Sequence, residues 1–169
     1  MLKGLKGIAL LAAFATGLAP VALAQLSSTD KAFVNKLAKS NNYELKAAQM
    51  AQDTSKNDSY KNYAQMITTD HTKAGQDLSS TISSVDPSLQ LPTDVSSTDQ
   101  AHLDTLKNAG NSFDVKYRYQ MISTHTAALK LAQNYVSHPN DNPQLKKFAE
   151  DLIPVFRKHL AEAKKLPKQ

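Results

Sequence analysis

The sequence predicts an all-α protein, a ferritin-like four-helix bundle with one long crossover that contains a short extra helix. Apolar residues recur every three or four positions along four long segments, which is the spacing of one helix face. Two of the three connections are short, whereas the middle one spans about 30 residues. A middle connection of that length can travel the full length of a bundle, unlike the short loops of a simple up-down-up-down bundle.

The first two segments, residues 29–54 and 58–83, are predicted to form an antiparallel helical hairpin. Ser27 or Ser28 can cap the first helix, and Asp30 suits the positive end of its dipole. The turn near residues 55–57 is short, so the two helices should lie side by side.

Residues 113–137 and 143–166 are predicted to form a second hairpin. Pro143, after Asn142, is favoured in a first helical turn, whereas Pro154 removes an internal hydrogen bond and should kink the last helix. The stripe expected on its buried face comprises Leu145, Phe148, Leu152, Val155, His159, Glu162 and Leu166.

The connection between the hairpins contains the dipeptides Asp86-Pro87 and Leu91-Pro92 and a short predicted helix at residues 98–109. Ser97 and Gln100 have the spacing of a capping box, and Gly110 is placed to end the helix.

The N-terminus is predicted to be a secretory signal peptide, residues 1–24. Two lysines precede an apolar run at residues 8–18, and Ala22-Leu23-Ala24 has the pattern of a cleavage site. The apolar run is shorter than the roughly 20 residues that a membrane-spanning helix needs. We therefore expect a single mature domain, residues 25–169, in the periplasm or secreted, without a transmembrane anchor.

Composition excludes several functions. The chain has no cysteine, which rules out disulfides, thiolate metal ligands and cysteine nucleophiles. It has 20 basic and 15 acidic residues, but the excess is scattered and the only arginines are Arg118 and Arg157. A nucleic-acid footprint needs a basic stripe, so nucleic-acid binding is not predicted. No catalytic triad, phosphate loop or dinucleotide fingerprint is present, and enzymatic activity is therefore not predicted.

Four ionisable side chains fall in the middle of the four predicted apolar faces, one on each long helix: Glu44, His71, His125 and His159. Such groups are costly in an apolar interior unless they are paired or bind a metal. Counting residues from each turn places the members of each hairpin within roughly 5 Å in height. Three imidazoles and a carboxylate suit a divalent transition metal such as Zn, Fe, Mn or Cu. A buried hydrogen-bonded network without metal is the alternative.

Three further residues are candidates around this cluster. Glu162 follows His159 by one turn and could be a fifth ligand, or else pair with Lys158 or Lys165. Asp70 adjoins His71 and is expected to support the site from outside, or else to pair with Lys73. Tyr117 is expected nearby as a supporting donor.

Several motifs together resemble one family: N-Y-E-L at 42–45, Y-A-Q-M-I-x-x-D-H at 63–71, F-D-x-x-Y at 113–117, His125, and L-I-P-x-x-x-x-H-L-x-x-A at 152–163. They resemble a group of exported bacterial proteins known as domain of unknown function 4142, assigned to the ferritin-like superfamily. The resemblance implies a ferritin-like bundle outside the cytoplasm, with Glu44, Asp70, His71, His125 and His159 at characteristic polar positions. It implies no settled activity.

The leading hypothesis is an exported, non-enzymatic bundle that binds a ligand or acts in the envelope or its stress response, with a candidate metal site inside. A homo-oligomer or an envelope protein is the expected partner. One rival is a metal-dependent oxidase or a scavenger of metal or peroxide, and another is a structural bundle whose ion network fixes helix register. Only three glutamates are present and no Glu-x-x-His occurs, which departs from the di-iron pattern.

Overall fold

The computed structural model describes residues 26–139 and 142–168, and within them the prediction of an all-α bundle is confirmed. The helices are α1 (Ser28–Thr54), α2 (Asp58–Val85), α3 (Ser97–Lys107), α4 (Phe113–Ser137) and α5 (Pro143–Lys165), with a 3₁₀ turn at Gly110–Ser112. None of these helices combines the length and apolar character needed to cross a membrane. The predicted signal peptide lies outside the described residues.

Local side-chain chemistry explains where the helices begin. Ser27 caps α1 in a reciprocal capping box with Asp30. The predicted cap of the short helix is wrong by one residue: Ser96, not Ser97, accepts the Asp99 N–H at 3.1 Å, so α3 begins one position earlier than expected. Gly110 does not end α3. It has a φ of 52° and begins the 3₁₀ turn that leads into α4.

Helices α1 and α5 run in one direction, and α2 and α4 run in the other. Tyr135, near the end of α4, stacks on Phe33 near the start of α1, with ring centroids 3.9 Å apart. At the opposite end, Tyr60 of α2 donates a hydrogen bond to the Pro167 carbonyl just after α5. Residues 86–112 therefore return along the length of the bundle, and α3 within them packs against α1 and α4. This is the predicted long crossover.

Two apolar clusters fill the bundle, one towards each end. The first surrounds Phe33 and Tyr135, and the second surrounds Tyr60 and Tyr117. Neither contains the four predicted polar residues. On α2, α4 and α5 these residues lie between the two clusters along the helix, and on α1 Glu44 directly follows Tyr43, the first residue of the second cluster on that helix. The middle of the bundle is consequently a polar layer closed at both ends by apolar packing.

The buried stripe of α5 differs from the predicted one. After Leu152 it continues through Phe156, His159 and Ala163, whereas Val155 and Glu162 are only half-buried. The observed and the predicted stripe both advance in steps of three or four residues. The packing of α5 against α2 and α4 selects the observed one. Pro154 lies on the exposed side, and α5 continues through it as one helix.

Candidate metal centre in the bundle interior

The structure brings Glu44, His71, His125 and His159 together from α1, α2, α4 and α5. All four residues are buried, none more than 4 % exposed. Glu44 Oε2 lies 2.8 Å from His71 Nε2 and 3.0 Å from His125 Nε2. His125 Nε2 in turn lies 3.1 Å from His159 Nδ1. One nitrogen from each of the three histidines falls within 4.8 Å of the other two, close enough for all three to hold one metal ion.

Each histidine is oriented by a hydrogen bond from its other ring nitrogen. His125 Nδ1 donates to the Met121 carbonyl at 2.8 Å, one helical turn earlier. His159 Nε2 donates to Asp70 Oδ2 at 2.8 Å. His71 Nδ1 donates to the amide oxygen of Asn41 at 2.9 Å. Because all three partners are acceptors, the outer nitrogens hold the protons. The inner nitrogen of each neutral ring is left with a lone pair.

The inner nitrogens of the three histidines consequently face one another, and Glu44 Oε2 lies against two of them, His71 Nε2 and His125 Nε2. Such an arrangement is repulsive unless a cation lies among them, either a metal ion or an extra proton. Outer hydrogen bonds that fix the tautomer and leave inner lone pairs free are the usual support of histidine metal ligands. In a tetrahedral site with bonds near 2.0 Å, neighbouring ligand atoms are about 3.3 Å apart. The three short separations, 2.8 to 3.1 Å, are close to that value.

Protons satisfy only part of this cluster. An extra proton on His125 Nε2 is accepted by His159 Nδ1 with good geometry. Glu44 Oε2 and His71 Nε2, however, have no hydrogen-bond partner among the described residues, although both are buried and only 2.8 Å apart. The short distance makes an ion pair, but the ring N–H direction does not meet the carboxylate oxygen. Protonated, His71 would bury an unpaired N–H; neutral, it would bury a lone pair that no donor meets, beside an ionised carboxylate.

The charges of the cluster follow from its burial and its contacts. Burial would raise the pKa of Glu44, but the imidazoles of His125 and His71 hold it well below its ordinary value, so the carboxylate stays ionised. Burial would lower the pKa of His125, yet its contact with Glu44 raises it overall. Burial lowers the pKa of His159 to about 4, and the hydrogen bond to Asp70 opposes this only in part. His159 is therefore neutral at pH 7.

The other predicted residues lie around the cluster at different distances. Asp70 bonds to His159 and to Lys158, at 2.8 and 3.3 Å, rather than to Lys73. Glu162 is not brought to the cluster: it pairs with Lys165 at 2.7 Å, because it lies one position off the buried stripe. Tyr117 is fully buried in the second apolar cluster, and no hydrogen bond joins its hydroxyl to the histidines.

Asn41 is a site residue that the sequence did not single out. It occurs one turn before Glu44 on the same face of α1, and a polar side chain on an otherwise apolar face was its only signal. Its role depends on an orientation between α1 and α2 that a pattern within one helix does not contain.

Two solved structures share this fold. One is described as CopM in the Cu(I)-bound form; it is 23% identical, covers 82% of this chain and 95% of its own, and superposes with a TM-score of 0.69. The other, CopM in the Cu(II)-bound form, is 20% identical, covers 80% and 93%, and has a TM-score of 0.68. At these identities the likeness concerns the fold.

No curated protein matches this sequence. The family described as "Domain of unknown function (DUF4142)" matches residues 15–166, which is most of the chain. The protein therefore belongs to the DUF4142 family.

Proposed function

We propose that this protein binds a divalent transition-metal ion outside the cytoplasm, in the interior of its bundle. The ligands are Glu44 Oε2, His71 Nε2, His125 Nε2 and His159 Nδ1. The observation that supports the proposal most directly is the buried pair of Glu44 Oε2 and His71 Nε2. These atoms lie 2.8 Å apart and have no hydrogen-bond partner in the part of the chain that the structure describes. A metal ion accepts both electron pairs at once, whereas a proton between them does not meet the geometry.

The donor set favours copper or zinc. Three imidazole nitrogens and one carboxylate oxygen suit both ions, and among divalent ions Cu²⁺ has the highest intrinsic affinity for such ligands. Both solved structures of similar fold reported above are described as copper-bound forms, which makes Cu²⁺ the first ion to test. A carboxylate-bridged di-iron centre is not supported, because Glu150 is exposed and Glu162 is paired with Lys165.

Metal binding is tested on the purified mature protein. After loading and removal of excess ion, we expect elemental analysis to give one Cu²⁺ or Zn²⁺ per chain. The electron paramagnetic resonance spectrum of the Cu²⁺ form should show coupling to several imidazole nitrogens. A protein that retains neither ion, with stability unaffected by a chelator, would instead support a bare ion-paired network.

Substitutions separate the centre from surface binding. Glu44→Gln keeps the shape of the side chain but removes its charge, so we expect affinity for the ion to fall by at least about 100-fold while the helical content remains. Glu150→Gln is the matched control, since Glu150 is an exposed glutamate of α5. Equal binding by both variants would place the ion elsewhere and overturn the proposed ligands.

A further inference from the structure

A cavity of about 280 Å³ lies among the residues of the first apolar cluster. All four long helices contribute to its wall, and Leu91, Pro92 and Thr93 of the crossover complete it. Thr93 is the exposed member of this wall, so the cavity reaches the surface beside the crossover. Since an engineered cavity of about 150 Å³ holds a benzene molecule, this one has room for a substituted ring.

The wall of the cavity is mostly hydrocarbon. Its larger surfaces are leucine side chains of α1, α2 and α5 and the rings of Phe148 and Phe156. Small residues take the facing positions, among them Ala38 on α1 and Ala128 on α4, and both of these are buried. A larger side chain at either position would occupy part of the space. The cavity therefore exists because the sequence keeps small residues opposite large ones.

Two asparagines line the cavity, but their hydrogen bonds go to the protein itself. Asn41 Oδ1 accepts the His71 Nδ1 proton at 2.9 Å. Asn42 Nδ2 donates to the carbonyls of Pro92 and Asp94, at 2.9 and 3.0 Å. The bonds of Asn42 also hold the crossover against α1. This side of the wall is consequently preformed, and its polar atoms are used in keeping it so.

The metal centre is closed off from the cavity. Glu44 and His71 contribute to the wall, but Glu44 Oε2 and His71 Nε2 each expose less than 1 Å². The other carboxylate oxygen, Glu44 Oε1, accepts a hydrogen bond from Ser40 Oγ at 3.4 Å. A molecule in the cavity therefore reaches neither Glu44 Oε2 nor His71 Nε2. A polar group buried beside them would lose its hydrogen bonds to water without replacing them.

We propose that this cavity binds a small uncharged aromatic hydrocarbon, a single ring whose substituents are apolar. The ring packs against Phe148, Phe156 and the leucines of the wall, and the burial of its apolar surface drives binding. Preformed cavities with mostly apolar walls are the usual form of a small-molecule site. Binding of the ring does not depend on the proposed metal ion, because the ring forms no bond to the centre.

The first test compares fluorobenzene with 4-fluorophenol, which differ by one hydroxyl, by ¹⁹F NMR on the metal-free protein. We expect fluorobenzene to bind with a dissociation constant of about 1 mM or tighter. The phenol should bind about 10-fold more weakly, because its hydroxyl is buried without a partner. Weaker binding of fluorobenzene than this would overturn the site, and 4-fluorophenol binding as tight as that of fluorobenzene would overturn its apolar ligand class.

The second test locates the ring. Ala128→Phe should fill the cavity and abolish fluorobenzene binding. The milder Ala38→Leu should weaken binding by about 5-fold, because it removes part of the apolar contact. Ala127→Phe is the control, since Ala127 is exposed on α4 and does not line the cavity. Circular dichroism verifies that each variant is folded. Unchanged binding in folded Ala128→Phe or Ala38→Leu, or an equal loss in Ala127→Phe, contradicts this location.

The third test separates the cavity from the metal centre. Fluorobenzene binding is measured again on protein loaded with Zn²⁺, which leaves the ¹⁹F signal free of paramagnetic broadening. We expect the two dissociation constants to agree within about 2-fold, because sites that do not interact have no coupling free energy. A larger change would contradict a cavity closed off from the centre. Failure to load Zn²⁺ or Cu²⁺ would contradict the metal site alone, since the metal-free measurement still decides whether the cavity binds the ring.

Discussion

Asn41 determines which nitrogen of His71 faces Glu44, although it is neither charged nor a ligand. Its amide oxygen accepts the Nδ1 proton at 2.9 Å and so leaves Nε2 for the centre. Gly75 leaves room for this amide: a Cβ at that position would lie 3.2 Å from Asn41 Nδ2. The orientation of His71, one of the proposed ligands, therefore depends on a contact between α1 and α2 that involves two uncharged residues.

We expect Asn41→Ala to lower the affinity for Cu²⁺ or Zn²⁺ by about 10- to 100-fold, the usual effect of losing a supporting hydrogen bond. Gly75→Ala should shift the affinity in the same direction by less, because the amide has to move by only a few tenths of an ångström. Isothermal titration measures both. Asn62→Ala, an exposed asparagine of α2, is the control and should bind like the unchanged protein.

The pH dependence of the metal-free protein follows from two histidines with opposite shifts. The pKa of His159 is lowered to about 4, so between about pH 4 and 6.5 the unfolded chain binds the extra proton and stability rises with pH. The pKa of His125 is raised, so its contribution is fully present below about 6.5 and is lost as pH rises through the folded-state value.

We therefore expect urea unfolding of the metal-free protein to show maximal stability near pH 6.5 and a decline above it. In Glu44→Gln the stability should fall less steeply above pH 6.5, since Glu44 raises the pKa of His125. In the metal-loaded protein the decline should disappear and stability should fall at low pH instead, because protonation of the ligands releases the ion. Stability that keeps rising from pH 6.5 to 8.5 without metal would contradict the assigned charges.

At the scale of the helices, Asp30 joins three elements at one end of the bundle. It belongs to the capping box of α1 and accepts a hydrogen bond from the Tyr135 hydroxyl of α4 at 2.5 Å. It also accepts the backbone N–H of Asn142, the N-cap of α5, at 3.1 Å. Burial would raise the pKa of Asp30, but the hydrogen bonds from Tyr135, Asn142 and Ser27 together lower it.

Asp30→Asn should destabilise the protein by about 2 kcal/mol at pH 7, since hydrogen bonds to a charged group are replaced by weaker ones. A lowered carboxyl pKa contributes stability that is present above the unfolded value, near 3.9, and is lost as pH falls through the folded value. The difference in the free energy of unfolding between the unchanged protein and Asp30→Asn should thus narrow below about pH 4. Denaturant unfolding at several pH values measures this difference. A difference that stays constant down to pH 2 would contradict the lowered pKa of Asp30.

At the scale of the whole molecule, the polar layer links all four long helices between two apolar clusters. An ion bound there connects both hairpins, so metal binding and folding are coupled. At an ion concentration about 100 times its dissociation constant, binding adds about 2.7 kcal/mol of stability. For a domain of this size we expect a Tm about 5 to 10 °C higher, measured by calorimetry. Addition of a chelator should reverse the shift, and Glu44→Gln should show none.

Export is a separate prediction for the whole chain. If residues 1–24 are a cleaved signal peptide, the mature protein begins at Gln25. Intact mass spectrometry of protein recovered from the periplasm or medium checks this. Recovered protein that retains Met1 to Ala24 would contradict cleavage, and protein found only in the cytoplasm would contradict export.

The sequence by itself determined the helices, the two hairpins and the crossover. These depend on local causes: the three- and four-residue spacing of apolar side chains, the caps at Ser27 and Asn142, and the lengths of the connections. It also placed one ionisable residue in the middle of each long helix. A buried charge among apolar residues is visible from the pattern alone, since its position within one helix is enough to indicate burial.

Only the tertiary structure decided which of these side chains touch and through which atoms. Asp70 directly precedes His71, and no pattern within α2 predicts that it pairs with His159 on another helix. The packing of α2 against α5 nevertheless brings the two side chains into hydrogen-bond contact. Glu162 likewise lies one position off the buried stripe of α5, where it pairs with Lys165 instead of entering the cluster. A periodic pattern defines a helix face only to within one position, about 100° of rotation. Contacts between helices depend on smaller angles, which the packing of all four helices settles together.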